Sequence, residues 1–237
     1  MVPTKEYGIM LDLETLGVDD DALITQIGAV VFDLKSGETF NKFNEHIDFS
    51  KLDTQFEKFY EKLVEIRNMN IIDKLNNLDK IIQDLVDNQF KDLCEKFNIE
   101  KGTMNFWIRE NNNLDVLLEH LTVKTGLNEK HLMTNFKKFI DEAQEFTGVD
   151  FKIWGNGISF DVVKIKRKLK KHGLELPILF YNERDLRTIL ELASFKSGKD
   201  IYEIKESVTS NNRAHDAFED CIFQINVCHE SYKILMS

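Results

Sequence analysis

Residues 7–15 read YGIMLDLET, an apolar run that ends in two acids, Asp12 and Glu14. A second run at residues 23–32, LITQIGAVVF, is rich in Ile and Val, and residues 39–47 alternate roughly between apolar and polar. These patterns predict three consecutive strands connected as an antiparallel meander. Because side chains alternate between the two faces of a strand, Asp12 and Glu14 share one face.

The rest of the chain alternates between helical and extended patterns. Strands that are followed by alternating helices and strands predict an α/β layered domain. We expect helices at residues 103–109, 129–146, 162–172, 184–193 and 217–235, strands at residues 151–154 and 176–180, and a polar loop at residues 196–213.

A segment at about residues 53–98 has a different character. It contains no Gly or Pro, and apolar residues recur in it at helical spacing. We therefore expect one domain, residues 1–237, with a helical insertion at about residues 53–98 that forms a hairpin.

Composition excludes several classes of protein. The 237 residues include 31 Lys and Arg against 41 Asp and Glu, a formal charge of −10, with 42% hydrophobic and 30% charged residues. This composition is typical of globular domains. No apolar run approaches the ~20 residues of a membrane span, and the first residues lack the pattern of a signal peptide. Three cysteines do not make a disulfide framework, so we expect a reduced, cytoplasmic protein without a membrane partner.

Asp12 and Glu14 are the first candidate functional residues. Two like charges on one strand face beside a core repel each other and resist desolvation, and a bound divalent cation removes that cost. Hard oxygen ligands suit Mg²⁺ or Mn²⁺. The alternative is an edge strand whose acidic face is solvated.

Two further motifs contain acids. Residues 154–161, WGNGISFD, combine a Gly-rich turn with Asp161 at the expected start of a helix, where the alternative role is a plain N-cap. Residues 215–220, HDAFED, open the last helix. Asp216 with Glu219 fits a capping box, which leaves His215 just outside the helix and Asp220 in its first turn as the candidate ligand. The alternative for His215 is an ordinary loop histidine.

Taken together, these motifs resemble the DEDDh family of 3′–5′ exonucleases. The residues that match the family motifs, in order, are Asp12, Glu14, Asp161, His215 and Asp220. Residues 154–161 and residues 182–188, NERDLRT, also resemble elements of the exonuclease A group of T-even phages and of certain bacterial exoribonucleases. The helical segment at residues 53–98 departs from that group.

The resemblance implies a ribonuclease-H-like fold, a mixed five-stranded sheet flanked by helices. It implies two divalent metal ions, Mg²⁺ or Mn²⁺, with Asp12 bridging both. Glu14 and Asp220 would complete the shell of the first ion, and Asp161 would support the second through water. His215 would deprotonate the attacking water, and nucleoside 5′-monophosphates would leave from a 3′ end.

Residues near these acids are candidates for substrate binding. Residues 161–187 hold eight basic and four acidic side chains, a local reversal of the chain's negative charge that could hold phosphates. A solvated helix face, or pairing of the arginines with nearby carboxylates, is the alternative. Apolar side chains beside the acids could stack on terminal bases. The substrate-binding candidates are Leu13, Thr15, Leu16, Asn156, Phe160, Lys164, Lys168, Arg184 and Arg187.

The leading functional hypothesis is a metal-dependent 3′–5′ exonuclease acting on the 3′ end of single-stranded DNA or RNA. A second hypothesis is an enzyme that trims short oligoribonucleotides, which need few phosphate contacts. A third is a non-catalytic nucleic-acid-binding module or proofreading partner of a polymerase. We expect the helical insertion to modulate substrate entry or to bind a protein partner, without taking part in the chemistry.

Overall fold

The structure is a computed structural model that describes residues 5–148, 151–208 and 214–237. The chain divides into two compact units. The sheet unit comprises Met1–Leu13, Ile27–Asn44 and Thr134–Ser237, and the helical unit comprises Glu14–Gln26 and Glu45–Met133. A single domain with an insertion at residues 53–98 stays a prediction.

A five-stranded sheet organises the sheet unit, with the strand order β3-β2-β1-β4-β5. β4 pairs in parallel with β1 on one side and with β5 on the other, so β1 occupies the middle of the sheet. The predicted α/β class and the mixed five-stranded sheet flanked by helices are confirmed. The strands are β1 (Tyr7–Thr15), β2 (Ile24–Asp33), β3 (Thr39–His46), β4 (Lys152–Gly155) and β5 (Glu183–Asp185).

Helices pack against this sheet through apolar side chains. Met10 of β1 is buried in a cluster with Leu190 and Ile225, which come from two helices. Phe43 of β3 stacks edge to face on Phe136 of a third helix, with ring centroids 5.4 Å apart. Among the described residues, the helices that pack in this unit are α7 (Glu129–Thr147), α8 (Ile158–Lys171), α9 (Leu186–Ser197), α10 (Ile201–Glu206) and α11 (Ala217–Met236).

Two sequence predictions in the sheet unit are wrong. The apolar run at residues 176–180 is not a strand, and a 3₁₀ turn at Phe180–Asn182 leads instead into the short polar strand β5. The predicted polar loop at residues 196–213 contains α10, which begins with a capping box between Asp200 and Glu203. Residues 209–213 of that loop lie outside the described residues.

The helical unit contains the predicted insertion. The segment is helical, as predicted, but the hairpin is wrong, because four helices and a π-helical turn at Asp84–Gln89 lie between residues 55 and 97. Aromatic side chains pack its interior; Phe59 stacks edge to face on Phe90 with ring centroids 5.2 Å apart. After a 3₁₀ turn at Phe49–Lys51, the helices are α1 (Gln55–Arg67), α2 (Ile71–Asn76), α3 (Leu78–Gln83), α4 (Lys91–Phe97), α5 (Lys101–Arg109) and α6 (Asn111–Thr122).

Candidate active site

Three elements of the sheet unit bring carboxylates together. Asp12 lies near the C-terminal end of the middle strand β1, Asp161 in the first turn of α8, and Asp220 in the first turn of α11. The negative charges of Asp161 and Asp220 both raise the pKa of Asp12, which places the three side chains within electrostatic reach of one another. The structure therefore groups three of the five predicted core residues around the end of β1.

The Gly-rich turn after β4 directs Asp161 toward β1. Gly157 caps α8 with a positive φ of 93°, a conformation that favours glycine. α8 therefore begins at Ile158, earlier than predicted, so Asp161 lies in the first turn and is not the N-cap. The backbone N–H of Leu13 donates to the Asp161 carboxylate, which ties α8 to β1.

Asp216 is the N-cap residue of α11, as predicted, whereas the capping box with Glu219 stays a prediction. The Asp216 side chain accepts hydrogen bonds from the backbone N–H groups of Phe218 and Glu219, each at 3.1 Å. His215 precedes the helix with a φ of 64°, and its backbone N–H donates to Asp220 Oδ2 at 3.2 Å. Potential ligand atoms of the His215 and Asp220 side chains lie within 4.8 Å of each other. The prediction that His215 lies outside the helix is confirmed.

A glycine on β2 allows α11 to approach the sheet closely. A Cβ atom added to Gly28 would lie 2.3 Å from the carbonyl carbon and oxygen of Ala217. One turn further along α11, Cys221 Sγ lies 3.3 Å from Gly28 O and 3.6 Å from Met10 O. This close packing fixes the distance between the first turn of α11 and the end of β1.

Gln224 is a residue of this site that the sequence analysis missed. Its Nε2 donates to Asp12 Oδ1 at 2.8 Å. The signal was present, because Gln224 follows Asp220 by four residues and therefore shares its helix face. Gln224 Oε1 is buried, and no group among the described residues donates a hydrogen bond to it.

Burial is the largest cause of the pKa shifts of the acids and of His215 in this site. It raises the pKa of Asp12 well above the ordinary value, and the carboxylates of Asp161 and Asp220 raise it further. Burial also raises the pKa of Asp161 to about 7 and that of Asp220 to about 6. It lowers the pKa of His215, because the imidazolium loses hydration. The folded protein thus disfavours three negative charges here unless a cation accompanies them.

Glu14 continues β1 two residues beyond Asp12 and is the first residue of the helical unit. It is buried. Strand alternation puts its side chain on the same face of β1 as Asp12.

The predicted substrate-binding residues without a charge differ in exposure. Phe160 is 39% exposed and Asn156 is exposed, so both can meet a ligand from solvent. Leu13 and Thr15 are buried, and the hydroxyl of Thr15 donates to the carbonyl of Gly17 at 2.9 Å. Leu16 is fully buried, so its side chain has no exposed surface to offer a base.

The predicted basic residues fall into two groups, arginines with exposed surface and buried lysines. Arg187 donates to the carbonyl and the side-chain oxygen of Asn156, at 3.0 and 3.3 Å, and Arg184 donates to the carbonyls of Tyr181 and Glu183. The alternative of a solvated face on α8 is wrong at Lys164 and Lys168, which are 1% and 4% exposed. Lys164 Nζ lies 3.4 Å from the ring centroid of Phe160, and its charge lowers the pKa of Asp161. Phosphate binding by these basic residues stays a prediction.

Comparison with known proteins assigns the chain to a family. The domain described as 3′-5′ exoribonuclease Rv2179c-like matches residues 7–232, and the chain belongs to this family. The description of the family names a 3′-5′ exoribonuclease activity.

One curated protein is also similar. The tRNA (guanosine(18)-2′-O)-methyltransferase of Saccharomyces cerevisiae is 24% identical over 165 residues, 68% of this chain. The similarity spans only 11% of the methyltransferase.

Within residues 5–148, 151–208 and 214–237, no helix is both long and apolar enough to cross a bilayer.

Proposed function

We propose that this protein is a divalent-metal-dependent 3′–5′ exoribonuclease of the DEDDh type that releases nucleoside 5′-monophosphates from single-stranded RNA. The observation that carries the proposal is the grouping of Asp12, Asp161 and Asp220 at the end of β1, with the pKa of each raised. Membership in a family of 3′–5′ exoribonucleases supports the reaction class.

The residues of the site fit hard divalent cations. The donor set consists of carboxylate oxygens, and the buried amide oxygen of Gln224 lacks a hydrogen-bond donor among the described residues. Asp12, Asp161 and Asp220 would hold the ions, and the family pattern assigns Glu14 to the same role. When bound, Mg²⁺ or Mn²⁺ supplies charge stabilisation for the attacking and leaving oxygens of the phosphodiester.

The chain's own groups position the base and hold the acids ionised. His215, neutral because burial lowers its pKa, accepts the proton of the attacking water on a ring nitrogen. Asp220 accepts the backbone N–H of His215 and so fixes the residue at the helix entry. Gln224 donates to Asp12 and favours its ionised form, because a hydrogen bond to a carboxylate stabilises its charge.

A second candidate function is the trimming of short oligoribonucleotides. The net charge of −10 and the burial of Lys164 and Lys168 favour it, because a substrate with few phosphates needs few cationic contacts. A non-catalytic binding module or proofreading partner is less favoured, since all five residues of the family pattern are present.

Several finer assignments belong to the same proposal. Asn156, Phe160 and Arg187 lie on exposed surface after β4 and at the start of α9, and we assign them to the substrate's terminal nucleotides. The relation to the exonuclease A group, the cytoplasmic location and a protein partner at the helical unit remain our predictions.

Matched RNA and DNA oligomers, from dinucleotides to long strands, test the proposal when incubated with Mg²⁺ and with EDTA. Stepwise shortening of RNA from its 3′ end that stops in EDTA supports it. Turnover of short RNA alone selects the trimming function. Retarded migration without degradation selects the binding module, and full activity in EDTA rejects metal dependence.

A further inference from the structure

The loop that follows β1 is hydrogen-bonded to residues near the start of α5, within the helical unit. This loop, residues 16–21, follows Thr15, the last residue of β1, and the contacts of the loop given below lie within the helical unit. The backbone N–H of Glu100 donates to Leu16 O at 2.9 Å. Its side-chain Oε1 accepts the N–H groups of both Val18 and Asp19, each at 2.9 Å. Glu100, a residue of the helical unit, thus makes three hydrogen bonds to this loop.

Other contacts extend the same attachment. The indole N–H of Trp107, a buried residue of α5, donates to Thr15 O at 3.1 Å. Asn98 Nδ2 donates to Asp21 O at 3.3 Å. A Cβ atom on Gly17 would lie 2.4 Å from Asn98 O and 2.9 Å from Glu100 Oε1. The loop backbone therefore lies directly against the chain that joins α4 to α5.

The Glu100 carboxylate serves the loop and not its own helix. Glu100 is the N-cap residue of α5, yet its side chain makes no capping hydrogen bond to that helix. A carboxylate that accepts two backbone N–H groups forms charge-assisted hydrogen bonds, which are stronger than neutral ones. Removing the side chain should therefore release the loop while leaving α5 formed.

We propose that Glu100 is a positioning residue that orders the loop at residues 16–21 for binding of the substrate's 3′-terminal nucleotides. The proposal rests on the proposed function, because it takes the end of β1 as the place where the RNA terminus binds. A loop that is already ordered does not have to lose conformational entropy when substrate binds. Loss of Glu100 should accordingly weaken substrate binding more than it slows the chemical step.

Two variants and a control test this role. Glu100→Ala removes the acceptor, whereas Glu100→Gln keeps an oxygen acceptor without the charge. Glu61→Ala changes an exposed acid of α1 in the same unit and is the matched control. Amide hydrogen exchange at Val18 and Asp19 is measured by NMR, and KM and kcat are measured on a short RNA with Mg²⁺.

For Glu100→Ala we expect faster exchange at Val18 and Asp19 and a KM raised about tenfold, the equivalent of one charge-assisted hydrogen bond. The kcat should change less than the KM, Glu100→Gln should be intermediate in both, and Glu61→Ala should match wild type. Unchanged exchange, an unchanged KM, or an equal effect of Glu61→Ala would overturn the proposal.

The hydrogen-exchange result and the KM result can each go against the proposal independently of the other. If the wild-type protein does not hydrolyse RNA, the proposed function fails and the substrate role of the loop fails with it. The exchange measurement still decides whether Glu100 orders the loop. If RNA is hydrolysed but Glu100→Ala keeps its KM, the proposed function stands and the positioning role is rejected.

Discussion

Gln224 Nε2 on α11 donates to Asp12 Oδ1 on β1 over 2.8 Å, which links the last helix to the middle strand of the sheet. This hydrogen bond lowers the pKa of an acid that burial and two neighbouring carboxylates otherwise raise. The ionised form of Asp12, which a metal requires, therefore depends in part on a neutral side chain.

Replacing Gln224 should shift the pH dependence of activity. In Gln224→Met the hydrogen bond is lost while the side-chain volume is nearly kept, so the pKa of Asp12 rises. A smaller fraction of Asp12 is then ionised at any given pH. We expect the acid limb of the pH–rate profile to move to higher pH by about one unit, the effect of one hydrogen bond to a charged group. Gln55→Met, at an exposed position of α1, is the control and should leave the profile unchanged. An unshifted acid limb in Gln224→Met would contradict the assigned role.

Removing one buried acid should stabilise the metal-free protein at neutral pH. The pKa of Asp161 is raised to about 7 in the folded state, so its protonated form favours folding. That stabilisation is complete below the unfolded pKa of about 3.9 and is lost as the pH rises through about 7. In EDTA, the melting temperature of the wild type should fall between pH 4 and 8, and Asp161→Asn should show a smaller fall.

Divalent cations should raise the melting temperature at pH 8 more in the wild type than in the variant, because they bind the ionised acids and the variant has one acid fewer. Glu191→Gln, at an exposed position of α9, serves as the control. Identical pH dependence of the melting temperature in the wild type and Asp161→Asn would show that Asp161 carries no unfavourable charge.

His215 should be required for the rate and not for the fold. Because its φ is 64°, His215→Asn is the appropriate substitution, since Asn tolerates left-handed backbone. We expect single-turnover cleavage to fall by about 10²–10⁴, the usual contribution of a positioned general base. Burial lowers the pKa of His215. The pH–rate profile of the wild type should therefore level off at a lower pH than it would for a histidine with the ordinary pKa of about 6.5.

His131→Asn, at an exposed position of α7, is the matched control for the general base. Calorimetric Mg²⁺ titration of His215→Asn should give wild-type affinity. A variant that cleaves normally rejects the base role, and one that no longer binds metal identifies His215 as a ligand.

Two glycines should respond oppositely to alanine. In Gly28→Ala the new methyl group would lie 2.3 Å from the backbone of Ala217, so the first turn of α11 must move away from β2. We expect a loss of about 1–3 kcal/mol in the free energy of unfolding, typical of overpacking, and a loss of activity through displaced Asp220. At Gly102, in α5, the added Cβ would meet no described atom within 4 Å apart from its chain neighbours and the backbone of its own helix. Gly102→Ala should therefore stabilise the helix by up to about 1 kcal/mol. Equal effects of the two changes on urea unfolding would contradict the packing described for α11.

Most of the fold could be predicted where apolar periodicity is strong. The run that ends in Asp12 and the stripe that follows Asp216 both have clear patterns, and both elements form as predicted. β5 could not be recognised, because its three residues are polar and only its pairing with β4 defines it. The apolar run before it, interrupted by Pro177, carried a misleading strand signal.

The acids of the site could be predicted from the sequence, whereas the residues that support them could not. Gln224 has no motif of its own, and its role depends on how α11 crosses β1. The burial of Lys164 and Lys168 could not be predicted, because helical spacing alone does not tell which face of a helix is buried. The contact of Glu100 with the loop after β1 joins residues more than 80 positions apart in the chain, so no local pattern reveals it.

The central claim is that the acids at the end of β1 remove nucleotides from a 3′ end. The most direct test is mass spectrometry of the products released from single-stranded RNA in Mg²⁺, by the wild type and by Asp12→Asn. We predict nucleoside 5′-monophosphates, released one at a time from the 3′ end by the wild type and absent with Asp12→Asn. Internal fragments, nucleoside 3′-monophosphates, or equal release by Asp12→Asn would contradict the claim.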